Sequence, residues 1–179
     1  MTDLPPPPPA PLGRDALLAY LDACGFETRT VDHPAVFTVA ESSALHREME
    51  GAHTKNLFLR DRKNNHFLVT AEQGTEVDLK RLHKVIGGAS RFSFGKPGEM
   101  EGWLGVTPGS VTAFGVVNDR EGNVRFVLDR NLMRHEWINC HPLTNEATTG
   151  IRRDDLVALA RHCGHDPLVA DLTGASLAE

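Results

Sequence analysis

The sequence predicts an α+β fold in which helices surround a mixed, curved and largely antiparallel sheet. Two pairs of apolar runs, 56–61 with 66–71 and 111–118 with 124–129, are each separated by a short polar loop, which is typical of hairpins. Segments of helical spacing lie between and after these pairs, and no stretch repeats at a fixed period. Hairpins interleaved with helices favour this class over an all-parallel α/β sheet.

Helices are predicted where apolar residues recur three or four positions apart and a glycine follows. The first carries Leu17, Leu18, Leu21 and Cys24 and stops at Gly25. A later one is capped by Asp78, carries Leu82 and Ile86, and stops at Gly87. The predicted helices are, in order, one ending at Gly25, 39–49, 78–86, a helical turn over 97–104, and 154–163.

Strands are predicted where branched or aromatic residues run between turn-forming residues. Phe92 and Phe94, for example, lie on either side of Ser93 ahead of Pro97. The predicted strands are, in order, 28–31, 56–61, 66–71, 92–94, 111–118, 124–129, 137–140 and an edge strand over 168–172.

The chain fits one domain preceded by a short leader. With 179 residues, of which 40% are hydrophobic, it is long enough to bury a sizeable core. Residues 1–12 hold Pro5 to Pro9 and Pro11, which cannot join a helix or a central strand. We therefore expect a proline-rich flexible leader over 1–12 and a single domain over 13–179.

Composition limits the location and partners that we expect. No run approaches a membrane span, and the start lacks the basic and apolar regions of a signal peptide, so we expect a cytoplasmic protein with no membrane partner. A formal charge of −5 argues against nonspecific nucleic-acid coating, and no DNA partner is expected. The three cysteines are far apart and form no Cys-x-x-Cys pair, so neither a disulfide framework nor a structural zinc is expected. The sequence has neither Gly-x-x-x-x-Gly-Lys-Ser/Thr nor His-Glu-x-x-His, so no cofactor or other metal is expected.

Two polar clusters, 51–56 and 139–149, each abut a predicted strand. Strand ends hold side chains rigidly yet face outward, so a site lined by Lys55, Asn56 and His141 is the first hypothesis. Lys55 either stabilises developing negative charge or is an ordinary solvated lysine. His141, restricted by the proline after it, either points into a cleft or is a buried histidine bonded to a carbonyl, and His135 lies near enough in sequence to compete with it.

Two further features have both a functional and a purely structural interpretation. The loop from Gly105 to Gly109 can present backbone N–H groups to a ligand or be a plain turn. A run of basic residues can follow a few phosphates or be merely solvated. These residues are Lys80, Arg81, Lys84, Arg91 and Lys96.

Four motifs in order carry a resemblance to a known family. They are His33-Pro34-Ala35-Val36, Lys55-Asn56-Leu57-Phe58-Leu59, the loop Gly105 to Pro108, and Asn139-Cys140-His141-Pro142-Leu143-Thr144-Asn145. Together they resemble the YbaK and prolyl-tRNA synthetase associated domain family, and within it the freestanding alanyl-tRNA(Pro) deacylase branch. The resemblance covers nearly the whole chain after the leader and implies that family's barrel-like sheet.

The resemblance implies a trans-acting editing enzyme, free of metal and cofactor, that hydrolyses the ester of mischarged alanyl-tRNA(Pro). We assign catalysis to Lys55 and His141 and substrate binding to His33, Asn56, Gly105, Val106, Thr107, Pro108 and Asn145. Leu104 stands where the first glycine of the family's fuller loop motif would fall. The partner implied is the acceptor end of tRNA(Pro), held by the basic residues, with a transient contact to prolyl-tRNA synthetase also open.

Two rival functions remain open at this point. The same site with another pocket volume would suit cysteinyl- or seryl-tRNA. Alternatively, Lys55 grips phosphate in a noncatalytic tRNA-binding module.

Overall fold

The structure of the protein, a computed structural model, describes residues 3–35 and 47–175. The helices that lie wholly within these ranges are α1 (Arg14–Ala23), α2 (Leu82–Ile86), α3 (Pro97–Leu104) and α4 (Arg153–His162), with 3-10 helices at Ala113–Val117 and Arg130–Arg134. The strands are β1 (Thr28–Asp32), β2 (Ala52–Arg60), β3 (His66–Glu72), β4 (Ser93–Phe94), β5 (Val124–Asp129), β6 (Trp137–Cys140), β7 (Ala147–Arg152) and β8 (Leu168–Ala170).

All eight strands join one mixed sheet, which confirms the predicted α+β class. The order is β1-β7-β6-β2-β3-β5-β8, and β4 pairs with β2 outside this path. Four pairings are antiparallel: β1 with β7, β6 with β7, β2 with β3, and β2 with β4. The other three, β2 with β6, β3 with β5, and β5 with β8, are parallel.

The sheet separates two apolar clusters, and neighbouring residues of β2 contribute to different ones. Phe58 belongs to the larger cluster, which includes Leu17 of α1 and Leu104 of α3. Leu59 belongs to the smaller cluster, which includes Leu82 of α2. This alternation follows from the two-residue period of a strand. The central strand β2 is therefore packed against an apolar cluster on each face, which makes it a rigid base for polar side chains near its start.

The second predicted hairpin is wrong. Residues 113–117 form a 3-10 helix, and β5 pairs in parallel with β3 and β8. Every residue from Thr112 to Asp119 is buried, so the run lacks the alternation that distinguishes a strand from a buried helical turn. Locally, the hydroxyl of Thr112 accepts a hydrogen bond from the backbone N–H of Phe114, which starts the turn.

Three other predictions differ from the structure. The helix predicted from Asp78 begins only at Leu82. Asp78 instead starts a separate turn, in which its carbonyl accepts from the N–H of Arg81 and its side chain accepts from the N–H of Lys80. The cluster 51–56 does not precede β2 but largely lies within it, and β7, which is rich in threonine and contains Gly150, was not predicted. The helix predicted for 39–49 falls mainly outside the described residues.

The leader lies against the folded body. The carbonyl of Pro5 accepts hydrogen bonds from the Tyr20 hydroxyl and from Nε2 of His162, each at 2.9 Å, and that of Pro8 accepts from Arg120. Leu12 is 2% exposed and belongs to the larger cluster. The leader's flexibility and the domain boundary at residue 13 stay predictions. Within the described ranges, none of the helices has the length and apolarity needed to cross a bilayer.

Candidate functional site

A gap along one edge of β2 creates the candidate site. On that edge β6 pairs only with Ala52 and His53, and β4 pairs only with Leu59 and Arg60. Within the described ranges no strand covers the stretch between them. A cavity of about 210 Å³ opens at the start of this gap. Its lining residues are Thr54, Lys55, Asn56, Gly109, Val111 and His141.

Lys55 is half-buried, and its ammonium is held by the loop that follows β3. Its Nζ donates a hydrogen bond to the carbonyl of Thr75 at 2.5 Å. The hydroxyl of Thr75 in turn donates to the buried carboxylate of Asp129 at 2.5 Å and accepts from the side-chain amide of Asn131. An ammonium has three N–H donors, and the described residues engage one. Lys55 is thus fixed in position while keeping donors for a ligand.

Asn56 is oriented by a bond across the hairpin. The hydroxyl of Thr70, which is fully buried, donates to Oδ1 of Asn56 at 2.6 Å, and the two residues are paired in register. With the oxygen occupied, the amide N–H groups are the part of the side chain that can donate to a ligand.

His141 follows β6 and has a defined tautomer. Its Nδ1 lies 2.8 Å from the carbonyl oxygen of Ala147, and because a carbonyl only accepts, Nδ1 carries the proton. Burial lowers the pKa of His141 below its ordinary value, the bond to Ala147 opposes this, and nearby His33 lowers it further. The neutral ring therefore presents Nε2 as an acceptor.

His33 lies next to the site, without lining the cavity. Its ring centroid is 6.2 Å from that of His141. Its Nδ1 donates to the carbonyl of Pro34, and its Nε2 shares a hydrogen bond with the hydroxyl of Thr148, both at 2.8 Å. His135, the competing histidine, instead pairs with Glu72 at 3.0 Å and does not line the cavity. The structure thus brings His141, and not His135, together with Lys55.

The predicted ligand loop, Gly105 to Gly109, meets the cavity only at its last residue and not at the four residues to which substrate binding is assigned. Gly105 ends α3 with φ +68°, and a Cβ there would lie 2.5 Å from the side-chain nitrogen of Asn118. Val106 is buried in the core, whereas Thr107 and Pro108 are exposed. None of these four residues lines the cavity.

Gly109 and Val111 are the loop residues that do line it. A turn closed by the N–H of Ser110 and the carbonyl of Thr107 brings them there. The side-chain nitrogen of Asn145 lies 4.0 Å from the position of a Cβ on Gly109, which puts Asn145 at the rim. The sequence signal for Gly109 is its place at the end of a Gly-Val-Thr-Pro-Gly turn, and that for Thr54 is its place in the polar cluster 51–56. Val111 carries no such signal.

The predicted RNA-binding residues lie outside the cavity lining. Those that are exposed are Lys80, Lys84, Arg91 and Lys96, whereas Arg81 is half-buried. The helix α2 among them packs Leu82 and Ile86 into the smaller apolar cluster. Lys84, the one predicted RNA-binding residue within this helix, therefore faces away from that cluster, on the side of the sheet from which the side chain of Leu59 projects.

The two histidines near the end of α4, His162 and His165, form hydrogen bonds with different partners. Nε2 of His162 bonds to the carbonyl of Pro5, and Nε2 of buried His165 donates to the carbonyl of Asp119 at 2.7 Å. Within the described ranges, no group of three His, Cys, Asp or Glu side chains has the geometry to hold a metal ion.

Comparison with known proteins gives a consistent assignment. Residues 33–159 match the model of the aminoacyl-tRNA editing domain. The chain is 37% identical over 160 residues to prolyl-tRNA synthetase associated domain-containing protein 1 of Bos taurus, covering 87% of this chain and 93% of the relative. It is 33% identical over 153 residues to the prolyl-tRNA editing protein ProX of Acetoanaerobium sticklandii, covering 85% and 93%.

A solved structure agrees at the level of the fold. The hypothetical protein APE2540 superposes with a TM-score of 0.65 at 18% identity, covering 86% of this chain and 97% of that one. The editing-domain model spans β2, the loop 105–109 and His141, so it includes every residue that lines the cavity. The chain belongs to the aminoacyl-tRNA editing domain family.

Proposed function

We propose that this protein is a trans-acting editing enzyme that hydrolyses the ester joining a mischarged alanine to the terminal ribose of tRNA(Pro). The observation that carries the proposal is the meeting of the Lys55 ammonium, the Asn56 amide and the neutral His141 ring at one small cavity. ProX, a relative that covers most of the chain, is named for prolyl-tRNA editing, which supports the substrate class.

The chemistry requires no covalent intermediate. Water adds to the ester carbonyl, the negative charge that develops on the oxygen is stabilised by Lys55, and the bond to the ribose oxygen then breaks. Free alanine and a ribose hydroxyl are the products. An ester of this kind is already activated, so a positioned water and preorganised donors are sufficient. Nε2 of His141, as the available acceptor, orients the water, as does the vicinal ribose hydroxyl that the family resemblance implies.

The size of the cavity supports a small amino acid. At about 210 Å³ it is smaller than the roughly 300 Å³ at which drug-sized ligand pockets begin. A synthetase pocket cannot strongly exclude an amino acid smaller than its own, whereas a second, smaller pocket can reject the correct one. Val111 forms the apolar part of the lining, where a methyl group would pack. Cysteine and serine are only slightly larger than alanine, so we expect slower hydrolysis of their esters and not complete exclusion.

The decisive experiment is hydrolysis of a panel of mischarged tRNAs. Alanyl-tRNA(Pro) should release alanine, seryl- and cysteinyl-tRNA should react more slowly, and prolyl-tRNA(Pro) should stay intact. The same panel with a chelator, and then with added zinc, should give unchanged rates, because the proposed route uses only water and the side chains of this chain. A protein that leaves every species of the panel intact is not this enzyme.

The role of Lys55 is tested with two variants that each remove one basic side chain. Lys55→Ala should lower the rate on alanyl-tRNA(Pro) about 100-fold or more, as expected on loss of one preorganised charge donor. Arg161→Ala, which removes an exposed basic side chain of α4 outside the proposed site, should not change the rate. Equilibrium binding of tRNA should be similar in both variants. If Lys55→Ala reduces binding and the wild-type protein shows no turnover, the noncatalytic tRNA-binding function is the correct one.

A further inference from the structure

Phe94 on β4 is an aromatic side chain with no place in the core. It is 65% exposed, the most exposed of the large hydrophobic side chains in the described ranges and the only aromatic one among them. Phe92, two residues earlier, instead packs against Phe67 with ring centroids 4.9 Å apart. Phe92 therefore anchors β4, and Phe94 contributes little to that packing. Singly exposed hydrophobic residues are normal on protein surfaces, so the significance of Phe94 depends on its surroundings.

The surroundings of Phe94 carry more basic than acidic side chains. Segments 60–65 and 88–99 contain five lysines and arginines and two acidic residues, Asp61 and Glu99. The carboxylate of Glu99 is already bonded to Nε2 of His66 and to the N–H of Lys96. Asp61 is 4% exposed, and its carboxylate accepts bonds from the N–H groups of Lys63, Asn65 and Ala89 and from the side chain of Asn65. It is thus enclosed by donors and presents little negative charge to a ligand.

The same bonds bring the two cationic segments together. Asp61 binds the N–H of Ala89 at 2.8 Å, and the N–H of Arg62 donates to the hydroxyl of Ser90 at 2.9 Å. This holds the loop carrying Arg62 next to the loop carrying Arg91. Lys96 lies two residues beyond Phe94, and all three basic side chains are exposed.

Phe94 lies on the same edge of β2 as the cavity. It pairs directly with Leu59, which is four residues along β2 from Lys55 and on the same face of the sheet. Four residues of strand span about 13 Å. The uncovered part of the edge lies between them, so a chain that leaves the cavity along this gap arrives at Phe94.

We propose that Phe94 is a stacking platform for the unpaired bases near the 3′ end of a tRNA whose terminal ribose lies in the cavity. Arg62, Arg91 and Lys96 contact the phosphates of the same segment. Exposed aromatic side chains next to basic residues bind single-stranded nucleic acid in this way, because every base has a face that can stack. The proposal rests on the proposed function, since it takes the RNA to be the substrate of the same site.

The test compares a long and a short substrate in three variants. Phe94→Ala should raise KM for alanyl-tRNA(Pro) about tenfold and leave kcat unchanged, because a stacked base contributes to binding and not to the chemical step. Phe94→Trp, which keeps an aromatic ring at this position, should have the wild-type KM. Leu168→Ala, which shortens another exposed hydrophobic side chain, should have no effect. With the alanyl ester of adenosine, which lacks the neighbouring nucleotides, all variants should match the wild type.

A second measurement does not depend on catalysis. Uncharged tRNA(Pro) with an intact 3′ end should bind the wild-type protein more tightly than the same RNA with its unpaired 3′ nucleotides removed, and Phe94→Ala should abolish this difference. The proposal is overturned if Phe94→Ala retains the difference, or if it lowers the rate on the adenosine ester as much as on tRNA. If the wild-type protein hydrolyses no mischarged tRNA, the proposed function fails, and the binding comparison still decides the role of Phe94.

Discussion

The two ends of the loop 105–109 lie in polar environments of opposite character. At the Gly105 end, Asn118 is 7% exposed and every hydrogen-bonding group of its amide is used. Its Oδ1 accepts from the N–H of Leu12, and its Nδ2 donates to the carbonyls of Leu12 and Leu104. At the Gly109 end, the side chain of Asn56 has one partner among the described residues, the hydroxyl of Thr70, and it lines a cavity.

This difference in hydrogen bonding distinguishes an asparagine that stabilises the fold from one that can bind a ligand. A buried amide with all its partners stabilises the fold, because removing any one partner leaves a polar group unpaired away from water. An amide with remaining donors beside a cavity adds less to stability and is available to a ligand. The loop is therefore fixed at one end by Asn118, which joins it to the leader and α3, and is free at the other end to contact substrate.

Replacing each asparagine in turn by aspartate tests this comparison and has the largest expected effect, which is on the stability of the protein. Asn118→Asp keeps the oxygen that accepts from Leu12 but turns a carboxylate towards two carbonyls, so unfolding should become easier by about 3–5 kcal/mol. Asn56→Asp keeps the acceptor for Thr70 and should change the free energy of unfolding by less than about 1 kcal/mol. Urea denaturation followed by circular dichroism measures both.

Activity should follow the opposite order. Asn56→Asp removes the amide donors at the cavity and should reduce hydrolysis of alanyl-tRNA(Pro) while the protein stays folded. Asn118→Asp should keep much of its activity at a temperature where it is still folded. Equal losses of stability in the two variants would mean that the two ends of the loop do not differ in the way the hydrogen bonds indicate.

The parts of the fold that depend on local patterns were predictable from the sequence. The strand pair β2–β3 has alternating or apolar runs around a polar loop, and α1 and α4 have apolar stripes followed by glycine, so local physics determines them. The run 111–118 is different, because it is buried on all sides and carries no period. Its helical turn depends on tertiary contacts, including the bond from the Thr112 hydroxyl to the carbonyl of His141.

The candidate site was predictable to a similar extent. Lys55, Asn56 and His141 are polar residues in or next to apolar strands, a local signal, and the structure brings them around one cavity. That Gly109 and not Gly105 lines it was not predictable, since this depends on Gly105 packing against Asn118, 13 residues later in the chain. The uncovered edge of β2 likewise results from β6 and β4 pairing with opposite ends of one strand.

The neutral state of the His141 ring predicts how activity depends on pH, an effect of intermediate size among those expected here. Burial lowers its pKa, so the ring is neutral at pH 7 and Nε2 accepts a hydrogen bond. The rate kcat should be constant above this lowered pKa and fall as the pH drops through it, at a pH below the ordinary histidine value of about 6.5. The stability contributed by the neutral ring is present above the unfolded-state pKa and is lost over the same acidic range.

The neighbouring histidine provides the control for this effect. The neighbouring His33 helps to lower the pKa of His141, so His33→Gln should move the acidic limb of the kcat profile towards higher pH. His135→Gln, which alters a histidine that pairs with Glu72 away from the cavity, should leave the profile in place. A profile without an acidic limb in the wild-type protein would exclude a neutral His141 as a required acceptor.

Cys140 predicts the smallest effect, although it is adjacent to His141 in the chain. Its thiol is 1% exposed, and burial raises its pKa to about 12, while a weak bond from the Thr54 hydroxyl opposes this shift. A thiol that is protonated and enclosed does not attack an alkylating reagent or an ester, so it belongs with Asn118 to the stabilising part of the molecule. N-ethylmaleimide at pH 7 should therefore leave Cys140 unlabelled and the hydrolysis rate unchanged, with peptide mass spectrometry locating any label. In guanidinium chloride all three cysteines should react, because unfolding exposes their thiols to the reagent. If Cys140 is instead labelled in the native protein and activity is lost, its thiol is open to the cavity.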